Sequence, residues 1–227
     1  MYNVGLLILE YVFAVALVLA YAKFFGKKGL HVAIAVLIVT SQIVTAKTFR
    51  IGSLELICGS IAMGFVFTIA TSLTEVFGTK EGRSAIWAGF LGELAFLIFG
   101  LLTVAYEPSP TDFAQGYLQQ AFHFTPRIAI SSWVAYITSG YFATWLMKVL
   151  QPYTKLWVRN NAATKLGQIL DNLIFVFGAY FLILPVNVIW TIWLTTSIVE
   201  FILDYADTWV VYVLVKMLKP KSEEIGG

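Results

Sequence analysis

The sequence predicts an all-α fold, a polytopic helical membrane protein. Of its 227 residues, 59% are hydrophobic and only 12% are charged, whereas a soluble domain carries roughly 25% charged residues. Apolar runs of about 18 or more residues recur, which is the length needed to cross ~30 Å of hydrocarbon. Soluble enzymes and nucleic-acid-binding domains are therefore excluded. A β-barrel is disfavoured because its strands would be short segments of alternating polarity.

Breaks in the apolar runs predict seven membrane helices. The first, Val4–Lys23, reads as a retained helix rather than a signal peptide, because no Lys or Arg precedes it and it contains Glu10. The last, Val188–Lys216, is long for one span and is expected to be tilted or broken near Glu200. The five predicted spans between them are Leu30–Lys47, Leu54–Val76, Ser84–Tyr106, Arg127–Lys148 and Lys165–Leu184.

The distribution of basic residues predicts the orientation. Twelve of the 15 Lys and Arg residues fall in one set of loops and the C-terminal tail. The opposite side keeps Lys47, Arg50 and Arg127, together with a long loop that carries acids and no base. Because basic loops stay in the cytoplasm, we expect a cell-membrane protein with its N-terminus outside and its C-terminus inside.

Polar groups at the end of the third span need an explanation, because a charge within the membrane costs roughly 2.5–3.5 kcal/mol. Glu75 ends this span, and Thr71 lies four residues earlier on the same helix face. Glu75 either pairs with Lys80 or Arg83 at the cytoplasmic interface or lines a polar cavity.

A polar stripe opens the sixth span, in the stretch RNNAATKLGQILDN. Thr164, Gln168 and Asp171 are spaced by four and three residues, so they share one helix face. Gln168 offers both a donor and an acceptor beside the Asp171 carboxylate. The stripe is either part of a substrate pathway or a hydrogen-bonded cluster that fixes helix packing.

Further charges lie in other spans. Glu200, Asp204 and Asp207 follow the i, i+4, i+7 pattern of one helix face, where they could line a vestibule, bind a cation, carry protons or pair with bases. Glu93 falls in the middle of the fourth span. Arg127 opens the fifth, where interfacial snorkelling is the ordinary explanation.

The motifs of familiar enzymes are missing from the sequence. It has no phosphate-binding G-x-x-x-x-G-K-[ST] loop, no H-E-x-x-H and no G-x-S-x-G. Cys58 is its single cysteine, so neither an internal disulfide nor a cysteine zinc site is possible. We therefore predict no catalytic residue, no metal and no cofactor.

Two segments, TSLTEVFGTKEGRSAIW and LWVRNNAATKLGQILDNLIF, resemble the queuosine precursor transporter family, also called vitamin-uptake-like transporters. The resemblance runs from about His31 to the C-terminus. It implies a six-helix core over residues 30–218, an additional N-terminal helix with a basic loop over 1–29, and a short cytoplasmic tail over 219–227. The matching positions are Leu73, Thr74, Glu75, Gly78, Arg83, Arg159, Asn160, Asn161, Thr164, Gln168 and Asp171.

The sequence also departs from the family pattern. The family usually has Asp where this chain has Thr71, and often Gln and Asp where Gly140 and Ala143 stand. Its last span often carries a Lys about where Glu200 falls. The resemblance therefore implies the fold more firmly than it implies the substrate.

The family resemblance implies import of 7-cyano-7-deazaguanine, 7-aminomethyl-7-deazaguanine or a related base for tRNA modification. A carboxylate can accept two adjacent N–H groups from the guanine-like edge, which suits Asp171 or Glu75. Amides such as Gln168 or Asn161 suit the ring oxygen, and an ammonium substituent suits Glu200 or Asp204. Aromatic rings would stack on the base. The candidate substrate-binding residues are Asp171, Gln168, Glu75, Asn161, Thr71, Phe67, Phe175, Glu200, Asp204 and Arg127.

Two other functions stay open at this point. The chain could be a membrane-embedded binding subunit that needs a separate ATPase module, with the stretch from Lys148 to Lys165 as its docking surface. It could also be a structural membrane protein whose polar cluster fixes helix packing. A homodimer is considered without a motif to support it.

Overall fold

A computed structural model describes residues 2–44, 47–51, 54–122 and 126–223. The all-α prediction is confirmed, with one small β-hairpin in addition. Along the chain the elements are α1 (Tyr2–Val44), β1 (Thr48–Ile51), β2 (Leu54–Ile57), α2 (Ser60–Phe77), α3 (Thr79–Ala105), α4 (Gln115–Phe122), α5 (Pro126–Leu150), α6 (Leu156–Tyr180), α7 (Val186–Leu203), a 3₁₀ turn (Asp204–Asp207) and α8 (Thr208–Glu223).

Helix α1 contains the first two predicted spans, joined at a kink instead of a loop. Gly26 adopts φ 60° and ψ −141°, a conformation open to glycine, and divides α1 into a first arm (2–25) and a second arm (27–44). A Cβ added to Gly29 would collide with the carbonyl oxygen of Tyr21. In a straight helix these residues would lie about 12 Å apart along the axis, so the chain bends sharply here. The second arm ends at Val44, short of the predicted Lys47.

The third predicted span begins later than expected. Leu54–Ile57 pairs antiparallel with Thr48–Ile51, and α2 starts at Ser60 after Gly59, whose φ is 95°. The prediction of a helix from Leu54 was wrong because a short apolar run does not distinguish a strand from a helix. The hairpin thus occupies the link between the second arm of α1 and α2.

The last two predicted spans also change shape. Helix α6 begins at Leu156, nine residues before the predicted start, so the expected docking stretch from Lys148 to Lys165 is mostly helical. The predicted break in the last span is confirmed, but it lies in the 3₁₀ turn Asp204–Asp207. Because the turn interrupts the α-helix, the face predicted to carry Glu200, Asp204 and Asp207 is not continuous.

Helix α2 is the centre of the bundle. It is buried along most of its length and packs against α1, α3, α5, α6 and α8. Within the described residues, α1, α2 and α3 are long and apolar enough to cross a membrane by length and composition alone. Helices α5 and α6 each have 25 residues and carry most of the polar groups discussed below. These two helices pack against each other and against α2.

Candidate substrate site

The two sequence segments that carry the family resemblance meet in an ion pair. Arg159, in the first turns of α6, donates Nε–H to Glu75 Oε2 over 2.9 Å and a second N–H to the other carboxylate oxygen. Its remaining nitrogen donates to the Thr154 carbonyl. The Glu75 and Arg159 side chains are only 8% and 11% exposed. This two-pronged geometry gives strong, charge-assisted hydrogen bonds.

The partner of Glu75 therefore differs from the bases expected beside it in sequence. Arg83 instead stacks its guanidinium over the Tyr141 ring, 4.6 Å from the ring centre. Sequence reasoning missed Arg159 because 84 residues separate it from Glu75. Since both carboxylate oxygens of Glu75 hold Arg159, a ligand could use this carboxylate only by displacing the ion pair.

A second polar link joins α2 and α6 one turn further along. The Thr71 hydroxyl lies 2.8 Å from Asn160 Oδ1, and both residues are buried. Thr164 in turn donates to the Asn160 carbonyl over 2.9 Å. Asn161 points elsewhere, donating to the Thr208 hydroxyl over 2.9 Å at the start of α8. These contacts explain how the motif fixes α6 against two neighbouring helices.

Asp171 lies where α5, α6 and α3 come together. Ser139 of α5 donates to Asp171 Oδ1 over 2.8 Å. Glu93 of α3 and the Tyr136 side chain of α5 are close enough to interact electrostatically with this carboxylate. Glu93 is buried and accepts a 2.7 Å hydrogen bond from Gln42 on the second arm of α1. Among the described residues, only Ser139 donates a hydrogen bond to Asp171. The carboxylate therefore keeps further lone pairs that can accept hydrogen bonds.

Gln168 lies one turn before Asp171 on the same face of α6. It is 5% exposed, and over the described ranges no donor reaches its Oε1 atom. Gly167 beside it allows a close approach: an added Cβ would lie 3.0 Å from the Ala143 side chain and 3.1 Å from the Phe67 ring. The buried ring of Phe67 therefore packs against α6 at Gly167, and the next residue, Gln168, shares a helix face with Asp171.

The described acidic side chains of the last span, Glu200 and Asp207, have partners outside the Asp171 cluster. Asn172 donates to Glu200 over 2.7 Å and lies 3.4 Å from the Ser197 hydroxyl. Asp207 is buried and interacts with the Tyr11 side chain of α1. The side chain of Asp204 lies outside the described residues. Glu200 is therefore bound from a different face of α6, about 100° around the helix from Asp171.

A buried cation that sequence reasoning missed lies beside the helix break. Lys165 is 5% exposed, donates to the Phe201 carbonyl in the last turn of α7, and lies 3.7 Å from the centre of the Tyr205 ring. A cation at a helix C-terminus is favoured by the helix dipole. The sequence placed Lys165 at the membrane boundary, since α6 was predicted to start there. The available signal was the spacing of Lys165 four residues after Asn161, which places the two side chains on one helix face.

Arg127 and Phe175 do not join this cluster. Arg127 is exposed and donates to the carbonyls of Gly178 and Phe181, where it caps the C-terminal end of α6. The Phe175 ring packs edge-on against Tyr180, with 6.4 Å between ring centres. An open apolar groove of about 480 Å³ lies elsewhere, along α1 and α3, lined by His31, Val32, Ala35, Val36, Val39, Thr40 and Ala88.

Comparison with known proteins identifies the family of the chain. A family described as "Putative vitamin uptake transporter" matches residues 58–214, the stretch that carries both motifs. The chain belongs to this transporter family. It is 32% identical over 213 residues to the "Probable queuosine precursor transporter" of Bacillus subtilis (strain 168), which covers 91% of this chain and 92% of that protein. No solved structure matches the chain. The protein is thus a multi-pass membrane transporter of a small molecule.

Proposed function

We propose that this transporter imports a queuosine precursor, a 7-deazaguanine base, across the cell membrane without changing it chemically. The observation that carries the proposal is the Asp171 carboxylate, which keeps acceptor positions on the same face of α6 as Gln168, with Phe67 packed against the neighbouring Gly167. The guanine-like edge of such a base presents two adjacent N–H donors, which match one carboxylate. Similarity to the probable queuosine precursor transporter of Bacillus subtilis supports the same substrate class.

Among the candidate carboxylates, Asp171 suits the base edge better than Glu75 does. Glu75 already accepts two hydrogen bonds from Arg159, whereas Asp171 accepts one from a neutral hydroxyl. Glu200 is instead held by Asn172, whose side chain leaves α6 about 100° around the helix from Asp171. The ring of Phe67 supplies an apolar surface at the same level, where a flat heterocycle would gain stacking energy.

The orientation and domain boundaries belong to the same proposal. Twelve of the 15 basic residues belong to segments that the sequence predicts to lie on one side, although two of them, Arg159 and Lys165, are buried in α6. The excess of the other ten over the opposite three supports a cytoplasmic C-terminus. Residues 30–218 form the transport core, and the first arm of α1 adds a helix to it. Carriage of a purine-like solute requires no enzymatic step.

The test is uptake of radiolabelled 7-cyano- and 7-aminomethyl-7-deazaguanine into liposomes that contain only this protein. Saturable uptake that unlabelled base competes away is expected from the wild type. Asp171→Asn should reduce it at least ~10-fold, because hydrogen bonds to a charged group contribute about 1.5–3 kcal/mol. The matched control is Asp112→Asn, an exposed loop carboxylate, which should transport normally.

Two outcomes would refute the proposal. Undiminished affinity of folded Asp171→Asn protein for these bases would show that Asp171 does not bind the substrate. Absence of both uptake and binding in the wild type, in a preparation with native-like unfolding behaviour, would reject the substrate class. Binding without uptake would instead support a binding subunit that needs a separate ATPase.

A further inference from the structure

Gln168 has an unusual environment for a buried amide. The residue is only 5% exposed, and across the described part of the chain its Oε1 atom has no hydrogen-bond donor. A buried acceptor without a partner is destabilising, because it has lost its hydrogen bonds to water. Native proteins keep few such groups, and a molecule outside the chain can supply the missing donor. The Gln168 carbonyl therefore indicates an N–H or O–H group of a ligand.

The position of Gln168 relates this missing donor to the base site. Gln168 and Asp171 are three residues apart, so their side chains leave the same face of α6. Phe67 packs against the adjacent Gly167. A base whose edge binds Asp171 would therefore present its neighbouring edge toward Gln168.

The chemistry of that neighbouring edge fits an amide. In a free 7-deazaguanine base, the edge next to the exocyclic amino group carries a pyrimidine nitrogen, which accepts, and the pyrrole N–H, which donates. The glutamine amide carries a carbonyl acceptor and an NH₂ donor side by side. The two can form a pair of hydrogen bonds, and this pair supplies the donor that Oε1 lacks. In a nucleoside the pyrrole nitrogen carries ribose, so that donor is gone and the sugar collides with the amide.

We infer that Gln168 binds the pyrrole edge of the transported base and so selects free bases over nucleosides. This inference rests on the proposed function. It adds the substrate distinction that Asp171 cannot make, since the edge bound by Asp171 is the same in the base and in its nucleoside.

The test compares two ligands and two proteins in a binding assay with purified, intact transporter. The ligands are 7-cyano-7-deazaguanine and its furo-fused analogue, in which an oxygen atom of similar size replaces the pyrrole N–H. Wild-type protein should bind the free base about 5-fold to 100-fold more tightly, since the analogue leaves the buried acceptor of Gln168 without a donor. Gln168→Met, of similar length, should bind both ligands weakly and equally. Gln119→Met, in an exposed part of α4, should keep the wild-type preference.

Each other outcome overturns the inference. If wild-type protein binds base and analogue equally, the transporter does not recognise the pyrrole N–H. The proposed function then still stands, because the base binds. If Gln168→Met keeps the wild-type preference, another group makes the selection. The ligand comparison on wild-type protein needs no variant, so it decides the matter even if Gln168→Met does not fold. If the free base fails to bind wild-type protein, the proposed function fails together with the inference.

Discussion

The ion pair between Glu75 and Arg159 offers the most direct test of how the two motifs hold the bundle together. We expect Glu75→Gln to destabilise the transporter strongly. Both side chains are about nine-tenths buried, and the substitution leaves the Arg159 guanidinium without its counter-charge. Removing one member of a buried ion pair costs about 3–5 kcal/mol. For a chain of this length, each kcal/mol shifts the unfolding midpoint by roughly 2–4 °C, so the expected loss is about 6–20 °C.

The measurement is thermal unfolding in detergent, arranged as a double-mutant cycle. Arg159→Met removes the cation, and the double variant Glu75→Gln with Arg159→Met removes both charges. If the pair acts as a unit, the double variant should be more stable than the sum of the two single effects predicts, by roughly 1–3 kcal/mol. The matched control is Glu107→Gln, an exposed carboxylate beyond the end of α3, which should leave the midpoint unchanged.

Additive single effects would refute this account of the ion pair. They would mean that Glu75 and Arg159 contribute independently, and that the hydrogen bonds between them do not couple α2 to α6. Glu75 would then be free to act as a base-binding carboxylate. That would weaken the choice of Asp171 over Glu75 for the edge of the substrate.

Three further substitutions test other features of the fold by the same unfolding assay. Gly26→Ala should cost about 1–3 kcal/mol, because residues other than glycine rarely adopt φ 60° with ψ −141°. Gly5→Ala, with open space around it, should cost nothing, and an equal cost would contradict the kink. Gly167→Leu should lower both stability and base uptake, because the new side chain enters the space between Ala143 and Phe67. Unaffected uptake would show that the close approach of Phe67 to Gly167 does not shape the site. Lys165→Met should lower the unfolding midpoint by several degrees, because the Phe201 carbonyl loses a charged donor. The control is Lys216→Met, at an exposed position. Equal midpoints for the two variants would show that Lys165 does not stabilise the helix break.

How far the sequence predicts this fold depends on how local each feature is. Apolar length and composition are summed over a whole span, so the helical class follows from them directly. The hairpin before α2 is different, since Leu54–Ile57 is a strand only because Thr48–Ile51 pairs with it. The kink at Gly26 is also local, but a glycine beside lysines in sequence reads equally well as a loop. Helix ends were the weakest part for the same reason, because packing against neighbours extends α6 back to Leu156.

The sequence also predicts those site features that depend on one helix, and it misses those that depend on contacts between helices. The spacing of Gln168 and Asp171 sets a shared face on α6 whatever the neighbouring helices do, and the structure retains it. The partner of Glu75 could not be derived, because pairing with Arg159 depends on how α2 and α6 meet across 84 residues. The same is true of Lys165, whose burial depends on a break that the sequence placed only approximately.

These contacts divide the polar residues of the bundle by what they are free to do. Glu75, Arg159, Thr71 and Asn160 bond to one another across α2 and α6, so their hydrogen-bonding capacity is largely used in holding helices. Further along the same face of α6, Asp171 accepts one neutral hydrogen bond and the Gln168 carbonyl lacks a donor among the described residues. A polar cluster that only fixed packing would satisfy its buried groups, as the first set does. The contrast on one helix therefore favours a ligand at Gln168 and Asp171 over a purely structural role.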